Sequence, residues 1–554
     1  MINGEDILIE NRSPRVLLIR PPFFENKGSR GSSMDIPLGL LSIAAVLEQR
    51  GYMVGIYDAR VEGRDVLAHR NFSNGYVFGS SWDEVEENVR KCSPDIVGIS
   101  NQFTTQFFSA LKTAEIVKTV DSRIVTVVGG PHASILPESF FENSPHIDIA
   151  VIGEGEYTLP EIAGWYQGKL SIDEIRGIVY KKAGHVIYNQ PRSAIQNLDE
   201  LPFPAYHLVD LERYFRLKKD PGSTGSARPR YNYPGSERSL SVITSRGCPF
   251  SCVFCSIHLH MGKKWRAHSP EYVLNHLEQL VTKYGIRHIH FEDDNISLHR
   301  SRFEEILDGV QKRGLNFTWD TPNGVRADTL DRGLLTKCKE TGCVYLIIGI
   351  ESGDQGVLDK VIRKKLSLEK VMKAIRLAHD IGLDMRAFYV IGFPGETKAQ
   401  MKKTLELALA LQRDWSVWPN VHVANPLIGT HLYEICRDGG FLVKGPGDNL
   451  FSLFSDEGRL KIQTEDFSPD DISELMKGFD QASRKIHHRA FLQGLLRAPK
   501  LALYIIVKSL KDVKRLKEFC ADTVFFRHFL IKGLSPPVRS GGTAKEISPV
   551  IADA

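Results

Sequence analysis

Three cysteines in one short loop constrain this chain more than any other feature. Cys248, Cys252 and Cys255 follow the spacing C-x3-C-x2-C and come just after an apolar run, residues 240–243, that predicts a strand. A loop this short can turn three thiolates toward one point. Soft sulfur ligands suit an iron–sulfur cluster or a thiolate-rich zinc site. Both interpretations stay open at this level, since His258 or His260 could complete a Cys3His zinc site.

Length and composition limit the alternatives. A chain of 554 residues predicts two to four domains. A net charge of +4 is too small to indicate a nucleic-acid partner, and we expect none. No signal peptide is visible, and the longest apolar run near the C-terminus, 501–507, is far shorter than the about 20 residues that span a bilayer. The cysteines outside the loop form no disulfide framework, which predicts a reduced, cytoplasmic protein; they are Cys92, Cys338, Cys343, Cys436 and Cys520.

The first domain, predicted over residues 14–170, alternates strands with helices. Leu40, Ile43, Ala44 and Leu47 share one helical face, and Ser81 with Glu84 predicts a capping box. This alternation favours a parallel sheet with helices on both faces and a ligand at the carboxyl ends of the strands. The predicted strands cover residues 16–19, 54–57, 96–100, 124–128 and 149–152.

Glycine- and proline-rich loops follow three of these strands: 20–24, 129–134 and 153–156. Each could be an ordinary tight turn between a strand and a helix. Three on one edge favour a large, flat or phosphate-bearing ligand, because glycine lets a ligand approach the backbone closely. No G-x-G-x-x-G follows the first strand, which disfavours a nicotinamide cofactor.

A connector over 171–238 contains a predicted hairpin and leads to six β/α units over 239–430, which predict a full or partial β/α barrel. Helices are expected over 431–534 and a disordered tail over 535–554. Basic residues between 484 and 532 alternate with apolar ones at helical spacing. They fit either a solvated face over a packed stripe or a basic amphipathic helix on an anionic membrane. The predicted barrel strands cover 240–244, 288–291, 317–320, 344–350, 384–391 and 417–423.

The cysteine loop and the barrel after it resemble the radical S-adenosylmethionine (AdoMet) superfamily. The glycine-rich loops, Pro37-Leu38-Gly39-Leu40 and the LDELPFPAY stretch at 198–206 resemble the members that carry an N-terminal cobalamin-binding domain. The resemblance implies an α/β chain: a Rossmann-like cobalamin-binding domain, a partial (β/α)6 TIM-type barrel and a helical C-terminal region. It implies three cofactors, which are a [4Fe–4S] cluster, AdoMet and cobalamin.

The resemblance also assigns residues to each cofactor. It assigns the cluster to Cys248, Cys252 and Cys255. It assigns AdoMet to Phe254, Glu292, Asp293, Arg326, Glu351, Ser352, Arg386, Gly392 and Pro394. It assigns cobalamin to Pro21, Pro22, Gly129, Gly130, His132, Gly153, Glu154, Gly155 and Glu156.

Two departures from the family pattern matter. No D-x-H-x-x-G motif follows the first strand, and the similar spacing at 58–63 has Arg60 where that motif has histidine. The resemblance therefore implies cobalamin without a protein histidine below the cobalt, with His132 as a possible contact. Carboxylates at 292–294 stand where the family has a glycine-rich motif.

The activity implied is reductive cleavage of AdoMet to a 5′-deoxyadenosyl radical, followed by methylation of an unactivated carbon. The basic apolar stretch near the C-terminus adds the expectation of a lipid-like or tetrapyrrole substrate. No catalytic side chain is predicted, because the cofactors carry the chemistry. The alternatives are an oxidative cyclase, as in the anaerobic magnesium-protoporphyrin ester cyclases, and a zinc-binding protein without activity. Expected partners are a flavodoxin- or ferredoxin-type electron donor, a small or lipid-like substrate, and peripherally a membrane surface.

Overall fold

The computed structural model describes residues 12–26, 35–63, 70–72, 75–219, 236–443 and 461–497. The chain divides into two compact units. The first unit contains both large sheets and ends at Ala482, and the described part of the second unit covers residues 483–497. The tail predicted over 535–554 and most of the basic stretch after 484 lie outside the described residues. Among the described helices, none combines the length and apolar character needed to cross a membrane.

The N-terminal half of the first unit is built on one seven-stranded sheet. Its strands lie in the order β10-β9-β8-β7-β6-β1-β3, and the five from β8 to β3 run parallel. The hairpin predicted in the connector adds the two antiparallel strands at one edge. A separate antiparallel sheet has the order β2-β5-β4. The strands are β1 (Arg15–Arg20), β2 (Phe23–Asn26), β3 (Met53–Asp58), β4 (Arg70–Phe72), β5 (Gly75–Phe78), β6 (Ile96–Ser100), β7 (Val125–Gly129), β8 (Ile149–Val151), β9 (Ile178–Lys182) and β10 (His185–Tyr188).

Helices cover both faces of this sheet, as the strand β1 shows, because it is apolar on both sides. Val16 and Leu18 of β1 pack into one core, and Leu17 and Ile19 pack into a second core on the opposite face. Side chains of successive strand residues point to opposite faces, so a strand buried on both sides is apolar throughout. The helices are α1 (Leu38–Gln49), α2 (Trp82–Cys92), α3 (Phe107–Val120), α4 (Pro131–Ile135), α5 (Pro137–Asn143) and α6 (Thr158–Tyr166).

The capping box predicted at the start of α2 is confirmed. Ser81 accepts a hydrogen bond from the backbone N–H of Glu84 at 3.2 Å, and the Glu84 carboxylate accepts one from the backbone N–H of Ser81 at 2.7 Å. Two N–H groups that the helix leaves unpaired are thereby satisfied.

The C-terminal half of the first unit is a six-stranded parallel sheet in the order β11-β14-β15-β16-β17-β18, each strand following a helix. The predicted partial (β/α)6 barrel is therefore confirmed. Its strands are β11 (Ser239–Val242), β14 (His288–Phe291), β15 (Thr318–Val325), β16 (Cys343–Glu351), β17 (Asp384–Ile391) and β18 (Trp418–Val423), and a short pair is β12 (Ser245–Arg246) and β13 (Arg266–Ala267). The helices are α7 (Leu211–Lys219), α8 (Ile257–His260), α9 (Pro270–Lys283), α10 (Arg300–Lys312), α11 (Arg332–Glu340), α12 (Leu368–Asp380), α13 (Lys398–Trp415) and α14 (His431–Asp438). A last helix, α15 (Pro469–Arg497), begins in this unit.

The segment that joins the two sheets packs along α9. The ring of Phe203 stacks on His276 with centroids 4.9 Å apart, and the hydroxyl of Tyr206 lies 3.0 Å from His276 Nε2. Asp199 accepts a hydrogen bond from the backbone N–H of Ser269 at 2.9 Å. Burial of these aromatic rings fixes the connector against the barrel.

Candidate active site

The three-cysteine loop lies where β11 and the short strand β12 end. Gly247 opens the loop with φ of +82°, and a Cβ there would lie 2.6 Å from the carbonyl oxygen of Lys264. Only glycine fits such a position. The backbone of Val253 donates to Ile362 and accepts from Leu432, so two distant segments hold the middle of the loop.

The three thiols are free and partly buried. Burial is the largest influence on each thiol and raises its pKa, to about 11 for Cys255. Metal coordination would supply the positive charge that holds them as thiolates.

The spacing of these sulfur atoms argues against a single zinc ion. Among the described residues, the only His, Cys, Asp or Glu group with ligand atoms all within 4.8 Å of one another lies elsewhere in the barrel. The three cysteines with His258 or His260 therefore do not form a closed Cys3His site. A four-iron cube spaces its thiolates more widely than one ion does, so this spacing does not count against the cube.

Acidic side chains at the end of β14 position the start of the loop. Asp293 is buried and accepts hydrogen bonds from Thr244 and Ser245. Asp294 accepts from the backbone N–H of Gly247 at 3.0 Å, and burial raises its pKa to about 7. Glu292 is half-buried, and Ser241 donates to its carboxylate at 3.3 Å. Asp293 is thus committed to the loop, and AdoMet binding by Glu292 stays a prediction.

Glu351 ends β16 in a left-handed conformation, with φ of +68°. Its carboxylate lies 2.6 Å from Lys364 Nζ, and both side chains are largely buried. A Cβ at Gly349 would lie 2.5 Å from both groups, so glycine leaves the space for the pair. Non-glycine residues in this conformation cost about 1–3 kcal/mol and cluster at functional sites. Lys364 was not predicted as a site residue.

The ends of β16 and β17 carry three further predicted AdoMet residues. Ser352 is fully buried; its hydroxyl accepts from the backbone N–H of Asp354 and lies 3.1 Å from that of Thr404. Gly392 has φ of +90°, and its N–H donates to Glu396 at 2.7 Å. Pro394, two residues later, is half-buried.

Phe254 and Glu396 both lie beside Phe393. The ring of Phe254 approaches that of Phe393 with centroids 5.9 Å apart, so an aromatic side chain of the cysteine loop faces the end of β17. Glu396 accepts from the backbone N–H of Phe393 at 3.1 Å, while its Oε1 is buried without a partner. Burial raises the pKa of this carboxyl to about 7.

The two predicted arginines occupy different places. Arg326 pairs with Asp328 at 2.8 Å and lies over the ring of Phe250, 4.0 Å from its centroid. It supports the cysteine loop, since Phe250 belongs to that loop. Arg386 lies in the first half of β17 and stacks over Tyr345 at 4.1 Å. A contact between Arg386 and AdoMet stays a prediction.

The loops predicted to hold cobalamin meet at one edge of the seven-stranded sheet. Adjacent parallel strands place the loops after β1, β6, β7 and β8 side by side. Pro21 and Pro22 are buried after β1. A Cβ at Gly130 would lie 2.6 Å from the carbonyl oxygen of Asn101, and Gly129 packs beside β8.

Asn101, at the end of β6, was not predicted as a site residue. It is fully buried, and neither the oxygen nor the nitrogen of its side-chain amide has a hydrogen-bond partner. Leaving such a group unpaired costs about 1–3 kcal/mol. An unsatisfied amide at the ligand edge of the sheet indicates that a bound molecule completes its hydrogen bonds.

His132 is a core side chain. Its Nδ1 lies 3.1 Å from the hydroxyl of Thr104, and its Nε2 lies 3.3 Å from the hydroxyl of Ser139. Burial lowers its pKa to about 4, so the ring is neutral at pH 7. Since both nitrogens have partners, this arrangement argues against His132 as a cobalt ligand.

The two glutamates after β8 link the sheet to the barrel. Arg246 donates to Glu154 and to Glu156, each at 2.7 Å, and Arg266 donates to Glu154 at 2.9 Å. All four side chains are largely buried. Both carboxylates are thus committed to arginines, and cobalamin contacts at this loop would involve the backbone of Gly153 and Gly155. We call Glu154, Glu156, Arg246 and Arg266 the clamp.

Comparisons with known proteins agree with this geometry. Residues 35–163 match the B12 binding domain and residues 242–408 match the Radical SAM superfamily. An uncharacterized methyltransferase of Pyrococcus horikoshii is 31% identical over 420 residues, which is 76% of this chain and 82% of the relative. The chain belongs to the cobalamin-binding radical AdoMet superfamily. It is an enzyme of that class, and the zinc-protein alternative is set aside.

Two further matches cover most of the chain. The cytidylyl-2-hydroxyethylphosphonate methyltransferase of Streptomyces wedmorensis is 29% identical over 512 residues, 87% of this chain and 92% of the relative. The structure of the cobalamin-dependent AdoMet radical enzyme OxsB with aqua-cobalamin and AdoMet bound superposes with a TM-score of 0.63. That match has 18% identity and covers 94% of this chain and 80% of OxsB, so it shows a shared fold.

The residues of this cobalamin-binding radical AdoMet enzyme fit its cofactors. Cys248, Cys252 and Cys255 would hold the cluster and leave one iron without a protein ligand. Asn101 and the cradle at Gly130 would receive cobalamin. When bound, these groups supply reductive cleavage of AdoMet and the transferable methyl group. The protein orients them and excludes water.

Proposed function

We propose that this enzyme transfers a methyl group from cobalamin to an unactivated carbon of its substrate. The observation that carries the proposal is the clamp. Arg246 lies two residues before Cys248, and its guanidinium binds Glu154 and Glu156 in the loop after β8. The strand that leads to the cluster loop and the predicted cobalamin edge are therefore in direct contact. Methyl transfer to a substrate radical needs both cofactors near one substrate.

We propose lipid-like compounds or tetrapyrroles as the first substrate class, from the basic apolar stretch near the C-terminus. A small phosphonate carrying a nucleotide is a second candidate. It is favoured by the relative from Streptomyces wedmorensis, since that match spans nearly the whole of both chains. A low-potential donor of the flavodoxin or ferredoxin type would supply electrons, and contact with a membrane surface belongs to the lipid-like case.

Product analysis tests methyl transfer. The anaerobically reconstituted enzyme is incubated with a chemical reductant, AdoMet labelled in its methyl group, and either a lipid extract, a tetrapyrrole mixture or cytidylyl phosphonates. Methyl transfer predicts label in one pool, with S-adenosylhomocysteine and 5′-deoxyadenosine formed together. Substrate conversion with 5′-deoxyadenosine alone would refute methyl transfer and favour oxidative cyclisation.

A further inference from the structure

A cluster of two histidines and one aspartate lies inside the barrel, apart from the cysteine loop. His288 and His290 are on β14, and Asp320 is their neighbour on β15. Ligand atoms of the three lie within 4.8 Å of one another, and all three residues are at least 97% buried. Ile289 and Phe291 pack outward against the helices, so strand alternation directs the cluster into the barrel. We call this set the His2Asp cluster.

Two hydroxyl groups surround the His2Asp cluster. The hydroxyl of Thr318 lies 2.7 Å from His288 Nδ1, and the hydroxyl of Tyr345 donates to Asp320 Oδ2 at 2.7 Å. Metal-binding histidines usually bond a second group through the other ring nitrogen, and metal-binding carboxylates are usually hydrogen-bonded as well. His288 and Asp320 already have this second layer.

Thr318 can serve either tautomer of His288. When it donates to Nδ1, the proton of His288 is on Nε2 and points to Asp320 Oδ2, 3.2 Å away. When Thr318 instead donates to the carbonyl oxygen of Arg287, 3.3 Å away, it accepts a proton from Nδ1. Nε2 of His288 then presents a lone pair to a carboxylate oxygen. Two such atoms at that distance repel unless a cation lies between them.

The distances suit a small divalent ion. Bonds of about 2.0–2.2 Å in a tetrahedron place ligand atoms about 3.3 Å apart. Asp320 Oδ2 lies 3.2 Å from His288 Nε2, and Asp320 Oδ1 lies 2.9 Å from His290 Nδ1. Shifts of a few tenths of an ångström in these side-chain atoms would open the space for the ion. Two imidazoles and one carboxylate form a donor set typical of Zn²⁺.

We propose that the His2Asp cluster binds a structural Zn²⁺ through His288 Nε2, His290 Nδ1 and the carboxylate of Asp320, with a water molecule enclosed together with the ion as the fourth ligand. The ion enters during folding, because the cluster is sealed from solvent in the folded barrel. It is separate from the [4Fe–4S] site, since the cysteine loop follows the carboxyl end of β11 and His288 opens β14. The ion ties β14 to β15 inside the barrel.

Metal analysis of the full-length chain tests the proposal. The parent is the variant with Cys248, Cys252 and Cys255 all replaced by alanine, because it removes the loop as a competing zinc site. Expressed with zinc and dialysed against EDTA, the parent should retain about one zinc per chain. Adding Asp320→Asn or His288→Gln should reduce zinc to below about a tenth of that value.

The control is His276→Gln, which removes a similarly buried imidazole from α9 and should leave the zinc content unchanged. Parent refolded with Co²⁺ should show the visible d–d bands of tetrahedral cobalt without a thiolate charge-transfer band. This cobalt measurement needs no substitution within the His2Asp cluster. A parent that holds no zinc and shows no cobalt bands would overturn the proposal. Zinc retained equally by the Asp320→Asn and His288→Gln variants would do so as well.

Discussion

Loss of Arg246 should destabilise the enzyme through the clamp. The substitution Arg246→Leu removes the guanidinium that bonds Glu154 and Glu156 at 2.7 Å each. Glu154 keeps Arg266, whereas Glu156 keeps the hydroxyl of Ser42, at 3.1 Å, and its own backbone N–H. Removing one partner of a buried pair costs about 3–5 kcal/mol. We expect about 3 kcal/mol of lost unfolding free energy, since one of the two carboxylates remains paired.

The matched control is Arg300→Leu. Arg300 also bridges two carboxylates, Glu304 and Asp331, but all three side chains are substantially solvent-exposed. Exposed pairs contribute about 0–1 kcal/mol, because water and salt screen them. The two variants therefore differ in burial and match in the number of bonded carboxylates.

The unfolding free energy lost in Arg246→Leu should depend on pH. Burial alone would raise the pKa of Glu156, but Arg246 outweighs it and the net pKa is lowered. A lowered pKa gives stability above the pKa of the unfolded state, and that stability is lost as the pH falls. In Arg246→Leu, burial is no longer offset by the guanidinium and should raise the pKa of Glu156. The difference between wild type and variant should thus be largest near pH 7 and shrink toward pH 4.

Urea unfolding followed by tryptophan fluorescence at pH 7 and at pH 4.5 measures these effects. Adding Glu156→Leu to Arg246→Leu should restore about 1–3 kcal/mol, because it removes the unpaired charge. The reasoning is refuted if Arg246→Leu costs no more than Arg300→Leu at pH 7. It is also refuted if its cost is the same at both pH values.

Three further outcomes are expected. Asn101→Leu should stabilise the cobalamin-free protein by about 1 kcal/mol and weaken cobalamin binding about tenfold, since it removes an unpaired buried amide; an unchanged affinity in a visible-absorbance titration would contradict this. Gly247→Ala should lower iron content after reconstitution, because its Cβ meets the backbone of Lys264. Gly314→Ala should not, because Gly314 has φ of +61° but open space around it. Equal iron content in both variants would argue against close packing of Gly247 on Lys264. Glu396→Gln should remove a loss of stability that the wild type shows as the pH rises from about 5 to about 7.5. The wild-type carboxyl has a folded-state pKa of about 7, above its unfolded value, so its ionisation with rising pH weakens the folded state. Urea midpoints that change in parallel for wild type and variant across that range would count against it.

The strands of both sheets could be predicted because their signal is local. β6, β14 and β17 have the predicted bounds, and the other strands of the two parallel sheets differ by a few residues at most, except that β15 continues to Val325. The small sheet β2-β5-β4 and the pair β12-β13 were not predicted. Their strands are two to four residues long, and such segments become strands only through partners elsewhere in the chain.

The site was predictable to the level of loops. The cysteines and the glycine-rich turns lie at strand ends, as their spacing indicated. The partners of single side chains were not predictable: Glu156 and Arg246 are 90 residues apart, and their pairing depends on how the two sheets dock. The same holds for Lys364 beside Glu351, and for Asn101, which no motif marks.

Cleavage of AdoMet by the variant without the three loop cysteines tests the central claim most directly. Wild-type enzyme and the variant with Cys248, Cys252 and Cys255 replaced by alanine are reconstituted with iron, sulfide and cobalamin, reduced, and assayed for 5′-deoxyadenosine. We predict product from the wild type only, with cobalamin retained by both, because the cobalamin edge does not depend on these thiols. Cleavage that survives in the variant would contradict the assignment of the cluster.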